Sequence, residues 1–220
     1  MKPSILRYNA LAWLLILLLG VGQLQAQEND TQDESDENTV RFISYQLSLK
    51  RNLAFGDNFA GEALYQKVGY NAALRFYVYR SFFLGIEGGS FTAEVDNKTL
   101  VGDFDYSNAN TYGLTAGYSF VFNAQHALDI SLAYGFANYR NKKNDLDDRF
   151  VDNGTYFKGQ LQYNYKFSPH FSLYVFTALR YDSLTIDASS QISDFLNEAQ
   201  YFSFGFGVKV NMTADKSKLW

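Results

Sequence analysis

The sequence predicts an all-β protein: an eight-stranded antiparallel up-and-down transmembrane β-barrel. Three observations carry that prediction. From residue 40 onward the dominant hydrophobic period is two, which belongs to strands and not to helices. The two faces defined by this period differ in chemistry, one aromatic and aliphatic, the other charged and rich in small residues. The connections between segments alternate between long and short. Composition narrows the choice further. Aromatics reach 18% and charged residues only 19% of 220 positions, against the ~25% charge of a typical soluble domain. With no cysteine, a disulfide framework and a cysteine metal cluster are excluded, and two histidines leave little for a zinc site. A net charge of −4 opposes nucleic-acid binding.

The elements follow in chain order. Residues 1–26 have the layout of a cleaved signal peptide: Lys2 and Arg7, an apolar run Leu11–Val21, then a short stretch ending at Ala26. The run is well short of the ~20 residues of a membrane-spanning helix, and no cysteine is available for a lipid anchor. Residues 27–39, QENDTQDESDENT, form an acidic leader with six carboxylates and no base, a composition that stays solvated and disordered. The barrel domain is expected over 40–212, with strands at 40–50, 66–79, 83–92, 110–122, 127–139, 154–167, 171–182 and 200–211. Residues 213–220 make a polar tail ending in Trp220.

One parity of these strands carries residues such as Tyr45, Leu47, Leu74, Phe76, Leu114, Leu132, Tyr134, Phe157, Val175, Phe204 and Phe206. Only the third strand is weak, with Leu84 and Ile86 giving way to Gly88 and Ser90. The opposite parity carries Lys50, Lys67, Arg75, Glu87, Asp129, Lys158, Lys166, Arg180, Asp182 and Lys209, with Arg41 the lone strand charge on the apolar side. In a soluble barrel the apolar face points inward, and in a membrane barrel it points to lipid. The charged column is interleaved with Gly113, Gly117, Ser131, Ala133, Gly135, Gly205 and Gly207, which suit a crowded lumen. The connections 51–65, 93–109, 140–153 and 183–199 are long, and 80–82, 123–126 and 168–170 are short. That is the pattern of long extracellular loops and short periplasmic turns. Closing eight strands also removes the sheet edges that lipid does not tolerate.

The whole of 40–212 resembles the small eight-stranded outer-membrane β-barrel proteins of Gram-negative bacteria, the OmpX-like and opacity-type barrels. The most specific local piece is the final strand, Ser203-Phe204-Gly205-Phe206-Gly207-Val208-Lys209-Val210, similar to the terminal insertion signal of that class. Its key positions are Ser203, Gly205, Val208 and Val210. Trp220 departs from the pattern, because it lies beyond the polar tail instead of ending the strand. The resemblance implies an exported, porin-like protein of the cell envelope, located in the outer membrane after removal of the signal peptide. Outer-membrane lipid and the barrel-insertion machinery are the implied partners.

An eight-stranded lumen is filled by side chains, so its charges must pair. The expected lumen network is Arg75, Glu87, Asp129, Lys158, Arg180 and Asp182. Lys50 and Lys67 are placed at the outer rim, and Lys166 and Lys209 at the periplasmic one. If Tyr79 pairs with Phe83, Arg75 stands opposite Glu87. The long connections hold thirteen acids against six bases, clustered at Asp96, Asp103 and Asp105 and at Asp145, Asp147, Asp148 and Asp152. Ordinary solvated loops account for these better than a calcium site, since the spacing fits no EF-hand. His126 and His170 fall in short turns, away from outer-leaflet lipid, so no catalytic residue, cofactor or metal is expected. The expected function is a non-enzymatic, monomeric barrel with a structural or surface-interaction role through its loops. Alternatives are adhesin-like binding of an unidentified extracellular ligand through Phe55, Phe59, Phe104, Tyr106 and Phe195, a lipid-modifying enzyme, or a narrow channel.

Overall fold

The computed structural model describes residues 39–79, 81–143, 149–168, 170–186 and 193–215. The expected signal peptide, the leader up to residue 38, Asp145, Asp147, Asp148 and the tail from residue 216 with Trp220 lie outside the described residues. The strands are β1 (Thr39–Phe55), β2 (Leu64–Gln66), β3 (Val68–Tyr79), β4 (Phe82–Val95), β5 (Tyr106–Val121), β6 (His126–Lys142), β7 (Arg149–Lys166), β8 (Phe171–Thr185) and β9 (Glu198–Asp215). Among the described residues, three short helices, α1 (Phe59–Glu62), α2 (Lys98–Val101) and α3 (Ser193–Asn197), sit in the connections at one end. That is the loop end, and the opposite end is the turn end. Among the described residues no helix is long and apolar enough to cross a membrane.

All strand pairs are antiparallel, in the order β4-β3-β1-β9-β8-β7-β6-β5, and β5 pairs back onto β4. The sheet is therefore a closed barrel. β2 pairs with β4 and leads into β3 past Lys67, so the two pieces make one of the eight barrel strands. A row of hydrogen-bonded neighbours starting at Tyr45 runs through Leu74, Ile86, Leu114, Tyr134, Phe157, Tyr181 and Gln200. It returns to β1 at Phe55, ten residues on. A shear of this size tilts eight strands by roughly 40° and leaves an interior that side chains fill.

The alternation of exposure follows the chemistry of the two faces. Along β8 every second residue is buried, from Ser172 to Leu184. On β6, Ser131 is 4% exposed and its neighbour Leu132 56%. The exposed column is apolar and aromatic (Leu47, Ile86, Leu114, Tyr134, Phe157, Phe206), while the buried column holds the charges and amides. This inside-out polarity marks a barrel whose solvent is hydrocarbon.

Most strands run beyond their expected ends, because the pleat continues past the apolar belt into the loop region. β9 reaches Asp215 at the turn end, where it pairs with Thr39 of β1. β4, the strand with the faintest alternation, is fully formed, because its inward column supplies Phe83, Phe91 and Ala93 to the lumen. Two bulges alter the register. One between Tyr77 and Tyr79 makes Tyr77 face Phe83 and Arg75 face Gly85, so the expected Arg75–Glu87 opposition does not form. The other lies between Arg41 and Ile43 and turns Arg41 off the apolar face. Its guanidinium lies 3.7 Å from the ring centre of Tyr77, so an extra residue in the strand takes this charge off the apolar side, while Arg51 of β1 and Arg140 of β6 keep outward positions toward the loop end.

Candidate functional site

The lumen is built in storeys. Nearest the turn end, Asp129 is fully buried on β6. Its Oδ2 accepts from Arg75 Nη1 on β3 at 2.8 Å and from Lys209 Nζ on β9 at 2.8 Å, and its Oδ1 accepts from Ser119 Oγ at 2.6 Å. Arg75 also donates to Gln162 Oε1 at 3.2 Å and lies 4.4 Å from the Phe83 ring centre. One carboxylate thus joins strands from opposite walls and shares two cations. Such charge-assisted bonds are the strong ones.

In the middle storey, Lys158 on β7 pairs with Glu87 on β4 at 2.6 Å, and Tyr156 OH donates to the same carboxylate at 3.1 Å. In the upper storey Asp182 Oδ2 accepts from Arg180 Nη2 at 2.6 Å and from Tyr139 OH at 2.5 Å. The Tyr139 and Tyr201 hydroxyls are 2.9 Å apart, and the Arg180 guanidinium lies 4.6 Å from the Tyr201 ring centre and 5.3 Å from that of Phe91. Above this, α1 closes the loop end. Phe59 packs edge-on against Tyr139 with ring centres 5.8 Å apart, and Ala60 is fully buried. Gln66 latches the plug: its Nε2 donates to the Ala60 and Leu64 carbonyls, both at 2.9 Å, and its Oε1 accepts from Ala54 N at 3.2 Å.

The six network residues therefore face one another as Arg75–Asp129, Lys158–Glu87 and Arg180–Asp182. Lys209 belongs with them and not at the rim, because β9 is longer than expected and carries this residue deep inside, 1% exposed. Lys50 is also buried, whereas Lys67 stays at the loop end in an ion pair with Glu94. Tyr139, Tyr156 and Tyr201 are functional members that sequence reasoning missed. Their signal was present, since each lies on the charged parity of its strand, where an aromatic is out of place unless it fills the lumen.

The expected loop anchors divide. Phe55 is exposed, Phe104 and Tyr106 are half-buried, and Phe59 and Phe195 pack against the lumen core and are not free surface. Asp103 and Asp105 are occupied by lysines: Lys98 Nζ bonds Asp105 at 2.5 Å and Asp103 at 3.4 Å, and Lys143 also pairs with Asp103. These bonds hold the Asp103 carboxyl below the ordinary aspartate range, chiefly through Lys143, and raise Lys98, chiefly through Asp105. Asp152 accepts from Asn141 Nδ2 at 2.6 Å. Both histidines are at the turn end: His126 Nδ1 is 2.6 Å from Tyr163 OH, and His170 Nδ1 is 3.3 Å from the Asn211 carbonyl. On β9, Ser203 faces the lumen and its Oγ bonds Asn52 Oδ1 at 2.7 Å. Gly205 is half-buried over the Phe176 ring, and Val208 and Val210 point outward.

This closed and sheared barrel, with its charges inside and its aromatics outside, defines a small eight-stranded β-barrel of the outer-membrane type. Neisserial surface protein A has the same fold, with a TM-score of 0.57 over 80% of this chain and 100% of that one at 8% identity. OprG of Pseudomonas aeruginosa gives 0.49 at 9% identity, over 80% of this chain and 97% of that one. Ail of Yersinia pestis gives 0.47 at 13% identity, over 79% and 100%. No protein-family model and no curated protein sequence matches the chain.

Proposed function

We propose that the protein is a monomeric, non-enzymatic barrel of the Gram-negative outer membrane, exported by a cleaved signal peptide. In this reading the turns at 80–81, 122–125 and 167–170 face the periplasm, and the loops carrying α1, α2 and α3 face outward. Its role is structural or one of surface interaction through those loops. The observation that carries this reading is the filled lumen: three storeys of ion pairs and aromatic rings under the α1 plug support a rigid post in the membrane and not a passage. The placement of His126 and His170 at the turn end supports a non-enzymatic role, since outer-leaflet lipid lies across most of a ~30 Å hydrocarbon layer.

The test compares the intact barrel with versions in which 97–104 or 143–148 is replaced by a short Gly-Ser turn. Any surface phenotype should be lost while the barrel still inserts. Mass spectrometry of outer-membrane lipids, with and without the gene, tests the enzymatic alternative. A changed acyl pattern that His126→Ala or His170→Ala abolished would overturn the proposal.

A further inference from the structure

The outward wall of β4, β5 and β6 carries a feature that the lumen and the loops do not use. A groove of about 850 Å³ is sunk into the lipid-facing surface there. Its floor is Ala72 and Gly88, adjacent across β3 and β4, and Tyr112, Tyr134 and Phe136 form one side. Gly88 makes the depth. A Cβ at this position would meet only the Thr111 carbonyl oxygen, at 3.3 Å, whereas a Cβ at Gly113 or Gly135 would run into backbone oxygens at 2.4 and 2.2 Å. A Cβ at Gly88 would press that one carbonyl by a few tenths of an ångström and otherwise meet open space, and the missing side chain leaves a hollow in the belt that hydrocarbon must fill, because water does not enter there.

Directly above, the same strands change chemistry. The row Gly88, Tyr112, Phe136 is followed, one outward row nearer the loops, by Ser90, Asn110 and Asn138. The next row brings Thr92, Asn108 and Arg140. Thr92 Oγ1 donates to Asn108 Oδ1 at 2.7 Å, and Asn138 Nδ2 donates to Asn153 Oδ1 at 2.6 Å. On β1 the outward column passes through Arg51, whose guanidinium lies 4.9 Å from the Tyr65 ring centre, and ends in Leu53 and Phe55, exposed and apolar. The amide-and-hydroxyl rows stand over the groove on β4 to β6, continuous with the lipid-facing belt, and run on around the loop end through Asn153 and Thr155 of β7 and Ser183 and Thr185 of β8.

We propose that this wall is a binding site for an outer-leaflet glycolipid. One acyl chain lies in the groove over Ala72 and Gly88, the sugar hydroxyls bond Ser90, Asn110 and Asn138, and Arg140 faces a headgroup phosphate. An apolar slot capped by a strip of donors and acceptors matches a molecule with both parts. The strip is what selects a saccharide headgroup over a small phospholipid one. This site rests on the outer-membrane reading and on the loop end facing outward.

The test reconstitutes the purified barrel in nanodiscs containing equal amounts of lipopolysaccharide and phosphatidylethanolamine. The lipid that stays with the protein through detergent exchange is then read by native mass spectrometry. The wild type should retain lipopolysaccharide stoichiometrically and in preference to the phospholipid. Gly88→Leu, which fills the groove, and the pair Asn110→Ala with Asn138→Ala should each reduce retention by about ten-fold or more, the loss of roughly 1.4 kcal/mol. Gly159→Leu is the control, because Gly159 lies on the neighbouring strand β7, outside the groove lining, and a Cβ there meets only Leu132 Cδ2, at 3.7 Å. Its retention should equal that of the wild type. Equal retention of both lipids by the wild type, or unchanged retention in the groove and strip variants, overturns the site. Incorporation into the nanodisc reports separately on the membrane reading, since a chain that failed to insert would sink that reading before any lipid was counted.

Discussion

Asp129 shows how a single side chain sets the cost of this lumen. It is the only described carboxylate within ion-pair distance of Arg75 and of Lys209, so its loss leaves two buried cations without a counter-charge. Breaking a buried pair costs about 3–5 kcal/mol, and Asp129→Ala should fall at or above the upper end in urea unfolding from lipid vesicles. The bulge at Tyr77 adds a sharper expectation. In double-mutant cycles Arg75 should couple strongly to Asp129 and far less to Glu87, whose carboxylate belongs to Lys158. Equal coupling to the two acids would contradict the register. At the loop end, Asp103 supports a pH prediction. Its folded pKa is depressed, so its tie to Lys143 and Lys98 is present above the ordinary aspartate value of about 3.9 and is lost only as pH falls through the lower folded value. Carboxyl NMR of Asp103 should titrate below that ordinary value, and Lys143→Ala should move the midpoint back up.

At the scale of elements, the eight barrel strands were legible because alternation over ten or more residues admits one reading, and the polarity of the two columns told inside from outside. The ends were less legible. Above the belt, on β4 to β6, the outward column turns from Tyr112 and Phe136 to Asn110 and Asn138, so the hydrophobic contrast fades while the hydrogen-bonded pairing continues. At the turn end β9 continues to Asp215 through Thr213 and Ala214, which carry no apolar alternation, and Lys209 sits deeper than the rim position expected of it. Bulges leave no signal in composition at all: nothing in Tyr77-Val78-Tyr79 or Arg41-Phe42-Ile43 distinguishes a residue in register from an extra one. The lumen charges were therefore identified as a group, and their pairing was not. The α1 plug was also hidden, because Phe59 in a loop reads as a surface anchor until Tyr139 is seen beneath it. Its latch can be tested. Gln66→Ala removes three hydrogen bonds, two of them buried at 2.9 Å. Each typically contributes about 0.5–1.5 kcal/mol. Amide exchange across 56–64 should accelerate ten-fold or more while exchange in β5 to β8 stays unchanged. A uniform acceleration would mean that α1 is an integral part of the barrel and not a separable plug.

For the molecule as a whole, everything depends on which face meets lipid, and a matched pair of neighbours on β6 decides it. Ser131 and Leu132 are adjacent in sequence, lie mid-strand and differ in exposure from 4% to 56%. Across the barrel wall Leu132 pairs with Ala116 and Gly159, both on the outward parity, so an arginine there has no lumen partner and no nearby rim. In a bilayer Leu132→Arg should cost ~2–4 kcal/mol, the depth-dependent cost of a charge on the lipid face. The same change in a soluble detergent-free sandwich, where 132 would be surface, would cost almost nothing. Ser131→Arg meets a different obstacle: the lumen around it is already filled by side chains, so the penalty is overpacking and does not depend on lipid. The two variants therefore separate by their response to the medium. Moving from thick to thin bilayers brings the interface closer to residue 132 and should relieve Leu132→Arg while leaving Ser131→Arg unchanged. Single cysteines introduced at the two positions give the direct reading: a thiol probe confined to the acyl-chain region should label position 132 and spare 131. Labelling at 131 with protection at 132 would turn the barrel inside out, and with it the membrane assignment, the lumen network and the glycolipid groove.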